Sequence, residues 1–125
     1  MTNGRIVLIV EEEPVVHKSI ATQLKKSQFQ VLTAHNEEEA FERILDDFVD
    51  VVITDEKMLD ESNELFSNIK SLPKADRPIV YVVSESAQER EAEKKNWGVH
   101  KFMEKPIDVE KICQDIKSSL KNMAA

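Results

Sequence analysis

The stretch IVLIVEEEPVV, residues 6–16, runs five Ile, Val and Leu side chains directly into three carboxylates and a proline. A segment that is apolar at every position, rather than at alternate ones, reads as a strand covered on both faces. Pro14 suits the first turn of a following helix, where its missing N–H costs nothing. Three adjacent glutamates are costly neighbours for one another. Either the surface begins at Glu11, or something positive sits against these acids.

Outward from this stretch, short apolar runs alternate with helical patterns. Candidate strands are Arg5–Val10, Phe29–Thr33, Val49–Thr54, Ile79–Val83 and His100–Met103. The helix opened by Pro14 would turn Val16, Ile20 and Leu24 inward. The next is announced by NEEEAFERIL, in which Asn36 can cap and Glu39 can complete a capping box, with Phe41, Ile44 and Leu45 facing the core. The third, NELFSNIKSL, would bury Leu65, Phe66 and Ile69. The fourth, SAQEREAEKKNW, offers little beyond Ala87, Ala92 and Trp97 and is expected to be loosely held. In the last, DVEKICQDIKSSL, Asp108 can cap and Ile112, Ile116 and Leu120 form one stripe. Strands alternating with single helices, with strongly apolar first and third strands, predict an α/β fold. The expected form is a three-layer, doubly wound (βα)5 domain with a five-stranded parallel sheet.

At 125 residues the chain is expected to form one domain, 1–125, either stand-alone or one part of a larger protein, with no output domain in these residues. A net charge of −7 argues against nucleic acid as a direct partner. The apolar run near the start is too short to span a bilayer. Cys113 is the single cysteine, which suits a reducing cytoplasm. His17, His35 and His100 lack metal-ligand spacing.

In a doubly wound sheet, ligands sit beyond the carboxyl ends of the strands. Here those ends deliver Glu11, Glu12 and Glu13, then Asp55, then Ser84, then Lys105-Pro106. Taken alone, each has a plain reading as a solvated acid, a helix cap or a surface lysine. Together they are the parts of a site for a divalent cation and a phosphoryl group. Carboxylates supply hard oxygens to Mg²⁺, while a lysine and a hydroxyl serve phosphoryl oxygens.

In that order of motifs (acids after the first strand, DVVITDEKM, Ser84, FMEKP) the sequence resembles the receiver domains of two-component response regulators, over essentially the whole chain. The resemblance implies a flavodoxin-like sheet of strand order 2-1-3-4-5 and a phosphoacceptor at Asp55, served by a sensor histidine kinase or phosphotransfer protein. It implies Mg²⁺ held by Glu12 directly, Glu11 mainly through water, Asp55, and the backbone carbonyl of Lys57. Ser84 would hydrogen-bond the phosphoryl group and Lys105 would pair with it. Phe102 falls at the family's aromatic switch position. Gly98 and Pro106, the latter after a cis peptide bond, also match. The output would be a signalling switch, not an enzyme with a separate substrate, acting through the face of the fourth helix, fifth strand and fifth helix. That face would also serve any homodimer, with Trp97 and Phe102 as candidate contacts. No nucleic acid or membrane partner is expected.

The sequence departs from the family pattern at identifiable places. The acid pair is Glu-Glu, whose longer side chains would bind Mg²⁺ weakly unless the backbone shifts or the rotamers bend, and would accommodate Mn²⁺ or Ca²⁺ more readily. Glu85 replaces a usual Ala or Gly, Leu59 a proline, Asn63 a glycine, and Trp97 a small residue. Glu11-Glu12 and Glu85 favour an alternative, a pseudo-receiver that works as an interaction or dimerisation module without phosphorylation. A dehalogenase-type phosphatase is disfavoured because its Asp-x-Asp is missing from the first strand. A flavodoxin is disfavoured because three glutamates would repel its phosphate.

Overall fold

The computed structural model describes residues 4–10 and 14–124. Five parallel strands, β1 (Ile6–Val10), β2 (Gln30–Ala34), β3 (Val51–Asp55), β4 (Ile79–Ser84) and β5 (Lys101–Glu104), form one sheet of order β2-β1-β3-β4-β5. This is the expected flavodoxin-like order. The predicted strand bounds are met to within two residues. The central strands are apolar throughout because both faces are covered. Leu8, Val10, Val52, Val80 and Val82 face one core cluster, whereas Val7, Ile9, Val51, Ile53, Tyr81 and Val83 face the other.

The first cluster is closed by α2 (Glu37–Asp47) and α4 (Glu64–Ser71); the second by α1 (Pro14–Lys26) and α6 (Val109–Ala124). The α2 start is capped as its sequence predicts, with the Glu39 N–H donating to Asn36 Oδ1 at 2.8 Å. Ile44 is buried, but Leu45 is 51% exposed, which corrects its assignment to the core. The inward stripe of α2 instead runs through Ala40 and Ile44, one turn apart. Leu65, Phe66 and Ile69 are buried as expected, as are Ile20 and Leu24; Val16 lies outside the residues whose side chains are described. On α6 the Asp108 carboxylate accepts from Lys111 N–H, and Ile112, Ile116 and Leu120 are buried.

Two elements differ from the five expected helices. A short helix, α3 (Glu56–Glu61), follows β3 immediately, with the Asp55 side chain accepting from the Lys57 N–H at its start. Leu59, where a proline was expected, is buried in this helix. Asn63, in place of a glycine, takes the left-handed conformation (φ 50°) that a glycine would adopt freely. The predicted fourth helix is the larger correction. Residues 85–90 form turns, Glu91–Glu93 a 3-10 turn, and only Lys94–Trp97 a single helical turn, α5. Ala87 is buried and Trp97 is half-buried against the core, but Ala92 is exposed. Too few apolar residues recur at helical spacing to hold a regular helix here.

A polar network fixes α6 to the sheet. The buried Tyr81 hydroxyl donates to Asp115 Oδ1 at 2.7 Å, and Lys101 Nζ reaches Asp115 Oδ2 at 2.7 Å. Burial and the Asp115 carboxylate push the Tyr81 phenol well above its ordinary pKa. Burial works to raise Asp115 too, but the Lys101 and Tyr81 hydrogen bonds outweigh it and hold it below the usual range. Ile116→Ala, in this fully covered stripe, should cost about 2–5 kcal/mol in urea unfolding. Leu45→Ala should cost less than ~1 kcal/mol in the same measurement.

Candidate functional site

Parallel pairing sets the strand ends level. Val10 pairs with Thr54, and Asp55 with Val83, so the end of β1, the Asp55 carboxylate and the Ser84 hydroxyl all lie at the carboxyl edge of the sheet. Ser84 pairs in turn with Glu104, and the Lys105 N–H donates to Ser84 O at 2.9 Å, which carries Lys105 to the same edge. The Lys105–Pro106 peptide bond is cis.

Lys105 Nζ lies 2.7 Å from Asp55 Oδ2. That hydrogen bond, ahead of the opposing effect of burial, raises the ammonium pKa; the charges of Asp55, Glu85 and Glu56 add to it. The other carboxylate oxygen, Asp55 Oδ1, accepts the Lys57 N–H at 3.0 Å. Beneath the pair, Ile9, Ile20, Ile53, Val83 and Ile107 line an apolar cavity of about 40 Å³. That is far below the roughly 300 Å³ of a small-molecule pocket, so a reacting group would approach from solvent. A larger hollow of about 410 Å³ lies at the opposite end of the sheet, beside Phe48, Asp50 and Arg77.

Ser84 is fully buried at the end of β4. Its Oγ donates to Glu56 Oε1 at 2.8 Å and accepts the Ser86 N–H at 2.9 Å. Glu56 also accepts the Glu85 N–H at 2.8 Å and an Arg90 N–H at 2.9 Å. Burial acts to raise the Glu56 pKa, but the Glu85 N–H, Ser84 hydroxyl and Arg90 guanidinium outweigh it and hold the carboxyl below its ordinary value. The Arg90 guanidinium lies 5.5 Å from the centre of the Phe102 ring. Phe102 itself is buried in the core, so in this conformation it contributes no contact surface beside Trp97.

The structure thus brings Asp55, Lys57, Ser84 and Lys105 to one edge and places Phe102 beneath the loop after Ser84. Glu11, Glu12 and Glu13 lie outside the described residues. Metal-capable donors at this edge among the described residues include the Asp55 carboxylate and the Lys57 carbonyl, hard oxygens of the kind Mg²⁺ takes. The described residues contain no cluster of three or more His, Cys, Asp or Glu able to hold a metal by themselves. Thr54 Oγ1, opposite Val10, is buried without a hydrogen-bond partner among the described residues. Sequence reading missed Glu56 and Arg90. Glu56 follows Asp55 directly, but nothing local says that its side chain crosses to the next strand.

With this geometry in hand, comparison with known proteins places the chain. The response regulator receiver domain family matches residues 7–117. A cyclic di-GMP phosphodiesterase of Thermotoga maritima is 33% identical over 119 residues, covering 93% of this chain and 31% of that protein. The chain therefore spans about a third of the length of this curated relative. A two-component response regulator from Clostridium difficile superposes with a TM-score of 0.83 at 17% identity, over 97% of this chain and 99% of that one. A response regulator from Thermotoga maritima gives 0.78 at 23%, over 91% and 95%. At these identities the solved structures speak for the fold.

The lowered Glu56 pKa fixes the sign of one pH effect. Its contribution to stability is present above the ordinary carboxyl value of 4.5 and is lost as pH falls through the lower folded-state value. Acid unfolding of Glu56→Gln should therefore show a shallower loss of stability below about pH 4.5 than the parent chain, followed by circular dichroism. The sheet order, the level strand ends and the family match across residues 7–117 together make this chain a member of the response regulator receiver domain family.

Proposed function

We propose that Asp55 accepts a phosphoryl group from a sensor histidine kinase or phosphotransfer protein, and that residues 1–125 act as one receiver unit. The observation that carries this reading is the 2.7 Å contact between Asp55 and Lys105 at the carboxyl edge, with Ser84 on the adjacent strand. An Asp55 oxygen attacks the phosphorus of a phosphohistidine. The O–P bond forms as the P–N bond breaks, and the electron pair returns to the departing imidazole. Lys105, already charged, exchanges its contact with the carboxylate for one with a phosphoryl oxygen. Receiver domains typically bind Mg²⁺, and here Glu11, Glu12, Asp55 and the Lys57 carbonyl are its proposed ligands. When bound, the ion neutralises charge on the phosphoryl oxygens.

The added charge would draw Ser84 toward Asp55 and repack the surface around Phe102. The proposed output and dimer surface is made by residues 85–97, β5 and α6. We place the domain in the cytoplasm; among the described residues no helix is long and apolar enough to cross a membrane. The activity in the relative's name, cyclic di-GMP hydrolysis, is not proposed for these residues, because the greater part of that protein lies outside the match.

A second reading, the phosphorylation-independent interaction module, is favoured by one observation: the Ser84 hydroxyl is already committed to Glu56. Incubation with phosphoramidate and Mg²⁺, followed by intact-mass spectrometry, separates the two. The first reading predicts one added phosphoryl group, lost in Asp55→Asn and on chelation of the metal, and formed about 10²-fold more slowly in Lys105→Ala. A chain that gains no mass at millimolar Mg²⁺ acts by the second.

A further inference from the structure

We infer that Glu56 is a positioning residue that holds Ser84 in the resting arrangement, and that Arg90 clasps it there above Phe102. This rests on the reading of Asp55 as phosphoacceptor and adds a competitor to it, one built into the residue that follows Asp55.

A serine hydroxyl has one proton to donate. Ser84 donates its proton to Glu56 Oε1 at 2.8 Å, with Ser86 Oγ more distant at 3.5 Å. It cannot donate at once to Glu56 and to a phosphoryl oxygen on Asp55. For Ser84 to serve that oxygen, the Glu56 bond must break. Glu56 is also not free to follow the serine, because its two oxygens hold the Glu85 N–H and Arg90.

Arg90 is itself immobilised. Its side chain is 11% exposed, and its guanidinium makes five hydrogen bonds to three carboxylates. Nε and Nη2 reach Glu93 at 2.8 and 3.0 Å, Nη1 and Nη2 reach Asp60 at 3.1 and 2.7 Å, and Nη1 reaches Glu56 at 2.9 Å. The clasp therefore ties α3, through Glu56 and Asp60, to the turns and 3-10 segment after β4, through Arg90 itself and Glu93. Its planar face covers Phe102 at 5.5 Å. A fork with every donor occupied fixes one geometry, which a lysine at the same position would not do.

The consequence is a coupled exchange. A phosphoryl group on Asp55 adds negative charge beside Glu56 and offers Ser84 a stronger acceptor. Like-charge repulsion and loss of the Ser84 bond both weaken the hold of Glu56, and through Arg90 they loosen the cover over Phe102. In the resting chain the same contacts oppose activation, so they set its threshold.

The test is a titration with beryllofluoride, a phosphoryl mimic, at fixed Mg²⁺. It is read by fluorescence of Trp97, the single tryptophan, which is half-buried against the same core as Phe102. Four chains are compared: the parent, Glu56→Ala, Ser84→Ala and the double variant. Glu56→Met keeps most of the side-chain volume but has no oxygen to accept from Ser84, in case the alanine variant folds poorly, and Asp55→Ala is the control. Glu56→Ala should lower the half-saturating concentration by about tenfold, the factor expected when one hydrogen bond between a charged and a neutral partner no longer has to be broken. In the Ser84→Ala background the same substitution should change it little, because the hydroxyl through which Glu56 acts is gone.

An equal shift with and without Ser84 would mean that Glu56 acts only by its charge, and would overturn the inference. No shift in either background would overturn it too, leaving Asp55 as phosphoacceptor intact if the parent still responds. A response in Glu56→Ala but none in the parent would support the inference in its strongest form. If no chain responds, or if the response survives Asp55→Ala, the phosphoacceptor reading fails and the inference fails with it.

Discussion

The parallel register of β1, β3, β4 and β5 is the constraint on which the rest depends. Because Val10 pairs with Thr54, Asp55 with Val83 and Ser84 with Glu104, residues far apart in sequence leave the sheet at one edge. The register is held by burial of both faces. A slip of one residue would turn Val52 and Val80 out of one core cluster and into the other, exchanging every side chain between two differently shaped interiors. The 2.7 Å contact of Lys105 with Asp55 is thus a product of hydrophobic packing well below it.

Much of this was legible in the chain. Continuous apolar runs identified the central strands, because only a doubly covered strand can afford no polar face. Asn36 and Asp108 announced their helices through chemistry that acts within one turn. The convergence of Asp55, Ser84 and Lys105 followed from strand ends alone. Most failures of the reading trace to a tertiary contact with no local signal. Leu45 sits one position beyond the buried stripe of α2, and which flank of an amphipathic helix is covered depends on its neighbours. The segment after Ser84 carries helix-favouring Glu, Lys and Ala, yet side-chain contacts from Arg90 and scarce apolar residues leave it as turns. Glu56 was overlooked because its partners lie across the sheet edge.

That oversight concerns the residue pair that most distinguishes this site. Ser84, read from sequence as a group waiting for phosphate, is occupied. Its acceptor belongs to the residue beside the proposed phosphoacceptor, so one short segment carries both the proposed nucleophile and the group inferred to restrain the response to it. The Glu85 side chain adds negative charge near Lys105, whose raised pKa reflects it. Each of these carboxylates has a cationic partner, yet the cluster stays net negative: Lys105 answers Asp55, and the single Arg90 answers Glu56, Asp60 and Glu93.

The most direct measurement is a crystal structure of the chain with Mg²⁺ and beryllofluoride. The account predicts a beryllium–oxygen bond at Asp55, fluorine within hydrogen-bond distance of both Lys105 Nζ and Ser84 Oγ, and Glu56 no longer contacting that hydroxyl. Beryllofluoride absent from Asp55, or bound there while Ser84 still donates to Glu56, would contradict it.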